Sequence, residues 1–279
     1  MRVWFITGAS RGFGARITAE ALAQGDAVVA AARNPAAIEK QFGNHERLKA
    51  VKLDVTNEAE AHEAAGIAVK TFGRIDVLVN NAGYGLLGGI EEASTEETQR
   101  VYATNVFGLL NVTRAVLPHM RRRRTGHIIN LSSVGGYVGY LGWGIYGSTK
   151  FAVEGISEAL TAEVAPLGIR VTVVEPGFFR TDFLDDQSVV RTANVIADYA
   201  DTVGKTRAHA EAVNHGQPGD PRKLAKAFMV LVNAKTPPTR LQLGSDTVAR
   251  VEAKNAHVAR ELGEWRELAL STDWTEEAA

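Results

Sequence analysis

Tyr146 and Lys150 stand four residues apart in Tyr-Gly-Ser-Thr-Lys, and Ser133 precedes the tyrosine by thirteen residues. On a helix, positions i and i+4 share one face, so the Lys150 ammonium would sit beside the Tyr146 phenol and favour its phenolate. Tyr146 would then exchange a proton near neutral pH while Ser133 polarises a carbonyl oxygen. Near the amino terminus, Thr7-Gly8-Ala9-Ser10-Arg11-Gly12-Phe13-Gly14 follows a short apolar run. Gly8 permits a tight turn, Gly12 lets the backbone approach a pyrophosphate, and Gly14 allows the next helix to pack closely, with its free amides facing the phosphates. Together these residues supply an acid, a carbonyl clamp and a seat for a dinucleotide.

Positioning them requires a scaffold of alternating elements. Apolar runs at Val3–Ile6, Ala27–Ala32, Leu48–Leu53, Ile75–Val79, His127–Leu131 and Ile169–Val174 are short and bounded by Gly, Asp or Asn, as strands buried on both faces are. Amphipathic stretches at Phe13–Gln24, Glu58–Phe72, Thr95–Met120 and Tyr146–Ala165 lie between them. The alternation predicts a single α/β domain, a Rossmann-like doubly wound parallel sheet with helices on both faces. Leu241–Leu243 reads as a last strand and Val248–Leu262 as a terminal helix. The segment 185–219 interrupts the rhythm with an Ala-rich, polar helical pattern ending in Gly216-Gln217-Pro218-Gly219.

In the order and spacing of TGxxxGxG, NNAG at Asn80-Asn81-Ala82-Gly83, and YxxxK, the chain resembles the short-chain dehydrogenase/reductase family, in its compact branch, from Val3 to about Thr181. The resemblance implies an oxidoreductase that interconverts a secondary alcohol and a ketone, with Tyr146 as acid and base, Lys150 assisting it, and Ser133 rather than Ser132 on the substrate oxygen. It assigns Asn105, in Thr-Asn-Val-Phe-Gly, to a kinked helix holding a water beside the lysine. Asp54-Val55 resembles the pair that holds adenine, and Pro176-Gly177 with Thr181 the segment that orients the nicotinamide. Asn80 and Asn81 fit either the cofactor wall or structural turns. The implied cofactor contacts are Gly8, Ser10, Arg11, Gly12, Phe13, Gly14, Arg33, Asp54, Val55, Asn81, Ala82, Gly83, Tyr146, Lys150, Pro176, Gly177 and Thr181. NAD-preferring relatives carry an acid where Ala32 stands, whereas here Arg33 follows and Arg11 lies in the glycine loop, so NADP(H) is expected with both guanidinium groups on its 2′-phosphate. The family places its substrate lid at 185–219. Its members pair helices like those beginning near Thr95 and Tyr146, which implies a homodimer or homotetramer.

Composition narrows the alternatives. The 279 residues carry a net charge of −1, giving no global attraction to nucleic acid or anionic membranes. There is no cysteine, hence no disulfide or thiolate chemistry, and the seven histidines show no metal-binding spacing. No apolar run is of bilayer length, and a strand beginning at Val3 leaves no room for a signal peptide, so a cytoplasmic enzyme is expected. Arg121–Arg124 reads as a helix end whose cations complement the dipole. Tyr84, Tyr137, Tyr140, Trp143, Phe178, Phe179 and Phe183 fall on loops near the expected site, where they would line a pocket for an apolar or aromatic substrate. Two other readings compete: an NADP(H)-binding sensor without turnover, and an epimerase or dehydratase of the family's extended branch. The intact tetrad argues against the first, the glycine spacing and short carboxy-terminal portion against the second.

Overall fold

Five consecutive residues, Val3–Thr7, are buried without interruption and form β1, the hub of the sheet. The computed structural model describes residues 1–274. Further parallel strands are β2 (Ala27–Ala32), β3 (Leu48–Lys52) and β4 (Val77–Asn80). Three more follow a short β5 (Gly85–Leu87): β6 (Gly126–Leu131), β7 (Ile169–Pro176) and, after β8 (Val189–Arg191), β9 (Arg240–Leu243). The seven-stranded sheet runs β3-β2-β1-β4-β6-β7-β9, so the direction of winding reverses between β1 and β4. A crevice opens at such a switch point beyond the carboxyl ends of the strands, and both glycine-rich segments leave the sheet there.

Helices α1 (Gly12–Ala23), α2 (Pro35–Phe42), α3 (Glu58–Phe72), α4 (Thr95–Tyr102), α5 (Leu109–Arg123) and α6 (Gly144–Val164) alternate with the strands, followed by α7 (Lys205–Val213), α8 (Pro221–Asn233), α9 (Ser245–Glu264) and α10 (Arg266–Leu270). One core lies between the sheet and α1 and α8, where Ile17, Ala21, Leu224 and Phe228 meet Trp4, Ile6 and Val28. The other joins Phe5, Leu78 and Ile128 to α3 and α5 through Ala64, Ala68, Val112 and Val116. The helices therefore cover both faces, as the alternating pattern predicts.

Two expected stretches are not continuous helices. Thr95–Met120 is interrupted where Ala103–Gly108 forms a π-helical turn between α4 and α5, at the place where the resemblance implies a kinked helix. Buried Asn105 sits in that turn and bonds the backbone of Tyr84, its Oδ1 accepting from the amide at 3.0 Å and its Nδ2 donating to the carbonyl at 2.9 Å. Gly108 ends the turn so close to Val55 that a Cβ would lie 2.6 Å from the valine methyl. A widened turn satisfies both contacts and is a recurrent feature of functional sites. The segment 185–219 is likewise not helical throughout: β8 pairs in parallel with β5, Gly85 to Val189, and only Lys205–Val213 is α-helix. Helices α2 and α8, absent from the sequence reading, begin with Pro after Asn34 and Asp220; the Asp220 carboxylate caps the Arg222 amide at 2.8 Å.

Candidate active site

A cleft of about 1270 Å³ runs along the carboxyl ends of the strands. It is lined by the expected catalytic and cofactor residues except Gly14 and Asn105, which stand behind its wall, and by the expected aromatics except Tyr137, whose hydroxyl instead donates to Asn255 Oδ1 on the surface. At its amino-terminal end, Gly8 and Gly12 adopt φ values of +63° and +54°, a region open to glycine but strained for other residues. No atom lies within 4 Å of a Cβ built on Gly12, whereas one on Gly14 would run into the Gly8 carbonyl. The first glycine thus leaves room beside the backbone, and the second lets α1 press against the loop. Arg11 at the N-cap makes no side-chain cap bond, so the first amides of α1 remain donors facing the cleft.

The end of β4 clasps this loop. Thr7 Oγ1 accepts from the Asn81 and Ala82 amides at 3.0 Å each, while Asn81 Nδ2 donates to the Thr7 carbonyl at 2.9 Å and the Gly8 carbonyl at 3.1 Å. Asn80 is buried and donates to Thr113 Oγ1 and Asn130 Oδ1, both at 2.9 Å. Both asparagine side chains are therefore engaged in holding backbone and strands, and Asn81 also lines the cleft. The expected convergence of Arg11 and Arg33 is not formed here. Arg11 Nη1 donates to Gln187 Oε1 at 2.6 Å, tying the glycine loop to the 185–219 segment, while Arg33 stands exposed at the cleft edge. Asp54 also has a local partner, its Oδ1 accepting from the Thr56 amide and hydroxyl at 3.0 and 2.8 Å.

Deeper in the cleft, Ser133 follows β6 and accepts from the Gly135 amide at 3.1 Å. Tyr146 lies in the first turn of α6, and Lys150 one turn later places its Nζ 5.7 Å from the tyrosine ring centre. Lys150 donates to the Leu131 carbonyl at 2.8 Å, so a strand end anchors its ammonium. A Cβ built on Gly83 would lie 3.0 Å from Asn105 Oδ1 and 3.7 Å from Lys150 Nζ, so these two polar groups converge on one glycine. Asn105 Nδ2 also donates to Thr149 Oγ1 at 3.1 Å, fastening the π turn to α6.

The electrostatics correct one expectation. Burial pushes the Tyr146 phenol well above its ordinary range, with only the Ser133 hydroxyl pulling it down, so the lysine does not lower it in this state. Burial also pulls Lys150 down to about 8, partly offset by the Glu154 carboxylate. The physical reason is shared: both groups are more than nine-tenths buried, and removing either charge from water outweighs their modest mutual attraction at this separation. Tyr146 is consequently a neutral hydroxyl, suited to donate a proton.

The sequence reading missed Glu154, although its spacing from Lys150 repeats the interval from Tyr146 to Lys150. Arg240 on β9 meets Glu154 at 3.1 Å, Glu158 at 2.7 Å and the fully buried Glu175 at 3.8 Å. Burial, reinforced by Glu154, raises Glu175 to about 7. Burial raises the Glu154 carboxyl above its ordinary range, with the buried Ser132 hydroxyl and Arg240 pulling it back. On the outer wall, Glu92 was also missed. Its side chain is fully buried, accepts from the Gly89 and Ile196 amides at 2.6 and 2.9 Å, and pairs with Arg207 of α7. Burial opposes its ionisation, but Arg207 and the two amides hold the carboxyl down to about 2. Among the described residues no cluster of metal-ligating side chains occurs, and no helix is long and apolar enough to cross a membrane.

Residues 2–190 match the family model described as short chain dehydrogenase. The 3-ketodihydrosphingosine reductase of Bacteroides thetaiotaomicron is 41% identical over 244 residues, covering 87% of this chain and 88% of that protein. A crystal structure of a short-chain dehydrogenase from Streptomyces avermitilis superposes with a TM-score of 0.89 at 38% identity, covering 98% of this chain and 100% of the other. The closed form of a serine dehydrogenase complexed with NADP+ superposes with a TM-score of 0.73 at 29% identity, over 86% and 94% of the two chains.

Proposed function

The chain belongs to the short-chain dehydrogenase family, and on that premise we propose that it is an NADP(H)-dependent carbonyl reductase interconverting a ketone and a secondary alcohol. The observation that carries this reading is the placement of Ser133, Tyr146 and Lys150 in one continuous cleft with the glycine loop. The residues fit a dinucleotide: Gly12 leaves open space beside unsatisfied helix-start amides, and the cleft extends from there to the phenol. Gly8, Ser10, Gly12 and Phe13 would hold the pyrophosphate, Asp54 and Val55 the adenine side, and Ala82, Gly83, Pro176, Gly177 and Thr181 the nicotinamide side.

Bound NADPH supplies the hydride. The chain's own groups manage the oxygen: Ser133 donates to the carbonyl and Tyr146 delivers the proton as negative charge develops there. Lys150, held by Leu131, brings positive charge beside the phenolate left behind, and Asn105 fixes the backbone around it. NADP(H) is favoured by Arg33 and by the lack of an acid at Ala32, with Arg11 free to turn to a 2′-phosphate by leaving Gln187. The NADP+ complex of a structural relative and the ketone named in a relative's activity support the same reading.

The segment 185–219 covers the cleft through Gln187, Ser188, Val190 and Gln217 and acts as its lid. Phe107 and Phe151, 57% and 47% exposed, flank the face of the π turn and α6 through which copies would associate in the cytoplasm. Following NADPH and NADH absorbance with a panel of ketones tests the activity. Turnover should fall roughly 10³-fold in Tyr146→Phe with NADPH affinity retained; near-normal turnover in that variant would remove Tyr146 as the acid. A sensor without turnover would bind NADPH and reduce nothing.

A further inference from the structure

Beside the catalytic cleft lies a second, open-mouthed cavity of about 340 Å³, lined by α7 and by Arg250 of α9. The two spaces share three aromatic side chains, Tyr140, Trp143 and Phe178. Trp143 packs edge-on against Tyr146 with ring centres 5.7 Å apart, so the second cavity starts next to the phenol. Its near walls are apolar, but its far end is not. There the Arg250 guanidinium lies 4.7 Å above the Tyr140 ring, and no carboxylate lies within ion-pair distance of it among the described residues. The Tyr140 hydroxyl is buried and has no well-formed hydrogen bond among the described residues, with Arg250 and Asp246 as its charged neighbours. Lys205, also on the rim, is already paired with Asp201 at 3.1 Å.

We propose that this cavity binds the anionic tail of the substrate, so that the preferred ketones carry a carboxylate or similar single negative group separated from the carbonyl by an apolar or aromatic body. The inference rests on the carbonyl-reductase reading and specifies its substrate class. With the carbonyl at Ser133 and Tyr146, the body lies over Trp143 and Phe178, and the tail reaches Arg250 and the Tyr140 hydroxyl. An anion there would receive a charge-assisted bond from a guanidinium preorganised on an aromatic face, and would satisfy the orphaned hydroxyl. A neutral tail would leave that hydroxyl without a partner, and a cationic one would meet Arg250 directly.

The test uses aryl ketones bearing a terminal carboxylate on linkers of graded length, each beside its methyl ester. For the best linker, KM should be about tenfold lower for the acid than for the ester. Arg250→Ala should remove that preference by raising KM for the acid alone with kcat unchanged, and Arg250→Lys should restore part of it. Equal KM for acid and ester at every linker, or an equal rise for both in Arg250→Ala, would overturn the assignment. Binding of the corresponding aryl alkanoates and their primary amides, which lack the ketone, is read by tryptophan fluorescence in wild type and Arg250→Ala. If no ketone is reduced, the reductase reading fails, and these titrations still judge the cavity: carboxylate binding that needs Arg250 upholds it, and its absence refutes it.

Discussion

The glycine-loop wall of the cleft, proposed to face the nucleotide, and the outer wall, proposed to face the substrate, are held in different ways. The first is fixed by backbone: β1 and β4 end together, Asn81 and Thr7 clasp the glycine loop, and Gly14 leaves no room for movement. The second is fixed by side-chain charge. Its loops after β5 and β8 converge on Glu92 and Glu97, whose carboxylates take the amides of Gly89, Ser94, Ala193 and Ile196 and the guanidinium of Arg207. Backbone packing tolerates little change of side chain but is indifferent to pH, whereas a carboxylate tie loosens once it is protonated. One cleft thus combines a rigid seat with a wall that can be released.

Breaking the rigid side should have the larger effect. Gly14→Ala forces a methyl group into the Gly8 carbonyl, and overpacking of this kind costs about 1–3 kcal/mol. Expressed at the seat, that is a loss of about 10- to 100-fold in NADPH affinity by fluorescence titration; unchanged affinity would show that the loop is pliable. On the other wall, Glu92→Gln should release 192–213, seen as faster amide exchange there with β1 and β2 unaffected, and about a tenfold rise in ketone KM. Equal acceleration in β1 would erase the distinction between the walls.

Acid should sharpen the same contrast. Glu92 is held at about 2 against an ordinary 4.5, so its tie is fully present above pH 4.5 and is lost as pH falls towards 2. Glu97 is also lowered, through the Ser94 amide above all and the Ala193 amide, and reinforces the trend. Pepsin digestion at decreasing pH should cut first within 192–213; first cleavage in the glycine loop would contradict this order. The smallest effect is expected from Glu154→Gln. Without that carboxylate Lys150 falls below about 8, and the limb of the pH-rate profile reporting its deprotonation moves to lower pH. An unmoved limb would detach Glu154 from the lysine.

The same contrast explains what could be read from sequence. Gly8, Gly12, Tyr146 and Lys150, with Gly14 behind the wall, act through local backbone geometry or helical spacing, so their order pointed to one cleft. Parallel strands buried on both faces, such as Ala27–Ala32, are equally explicit because no polar residue interrupts them. Glu92 and Arg207 could not be paired, since 115 residues separate them and each looks like an ordinary surface charge. The irregularity at Ala103–Gly108 was legible only through the family resemblance, which implies a kink at Asn105, because the contact of Asn105 with Tyr84 that accompanies it is tertiary. The contact of Arg11 with Gln187 was hidden for a related reason: Gln187 belongs to the least patterned stretch of the chain.

Helix α6 carries Tyr146, Lys150, Glu154 and Glu158 at successive four-residue steps, reaching from the cleft to Arg240 on the edge strand. Inserting one residue between Lys150 and Glu154 would turn everything beyond it by about 100° and swing both carboxylates off Arg240. The same insertion at Gly139, where a side chain meets open space, would only lengthen a loop. The reading frame of a single helix therefore sets how far this enzyme can drift in length, and homologues should gain and lose residues around that frame rather than within it.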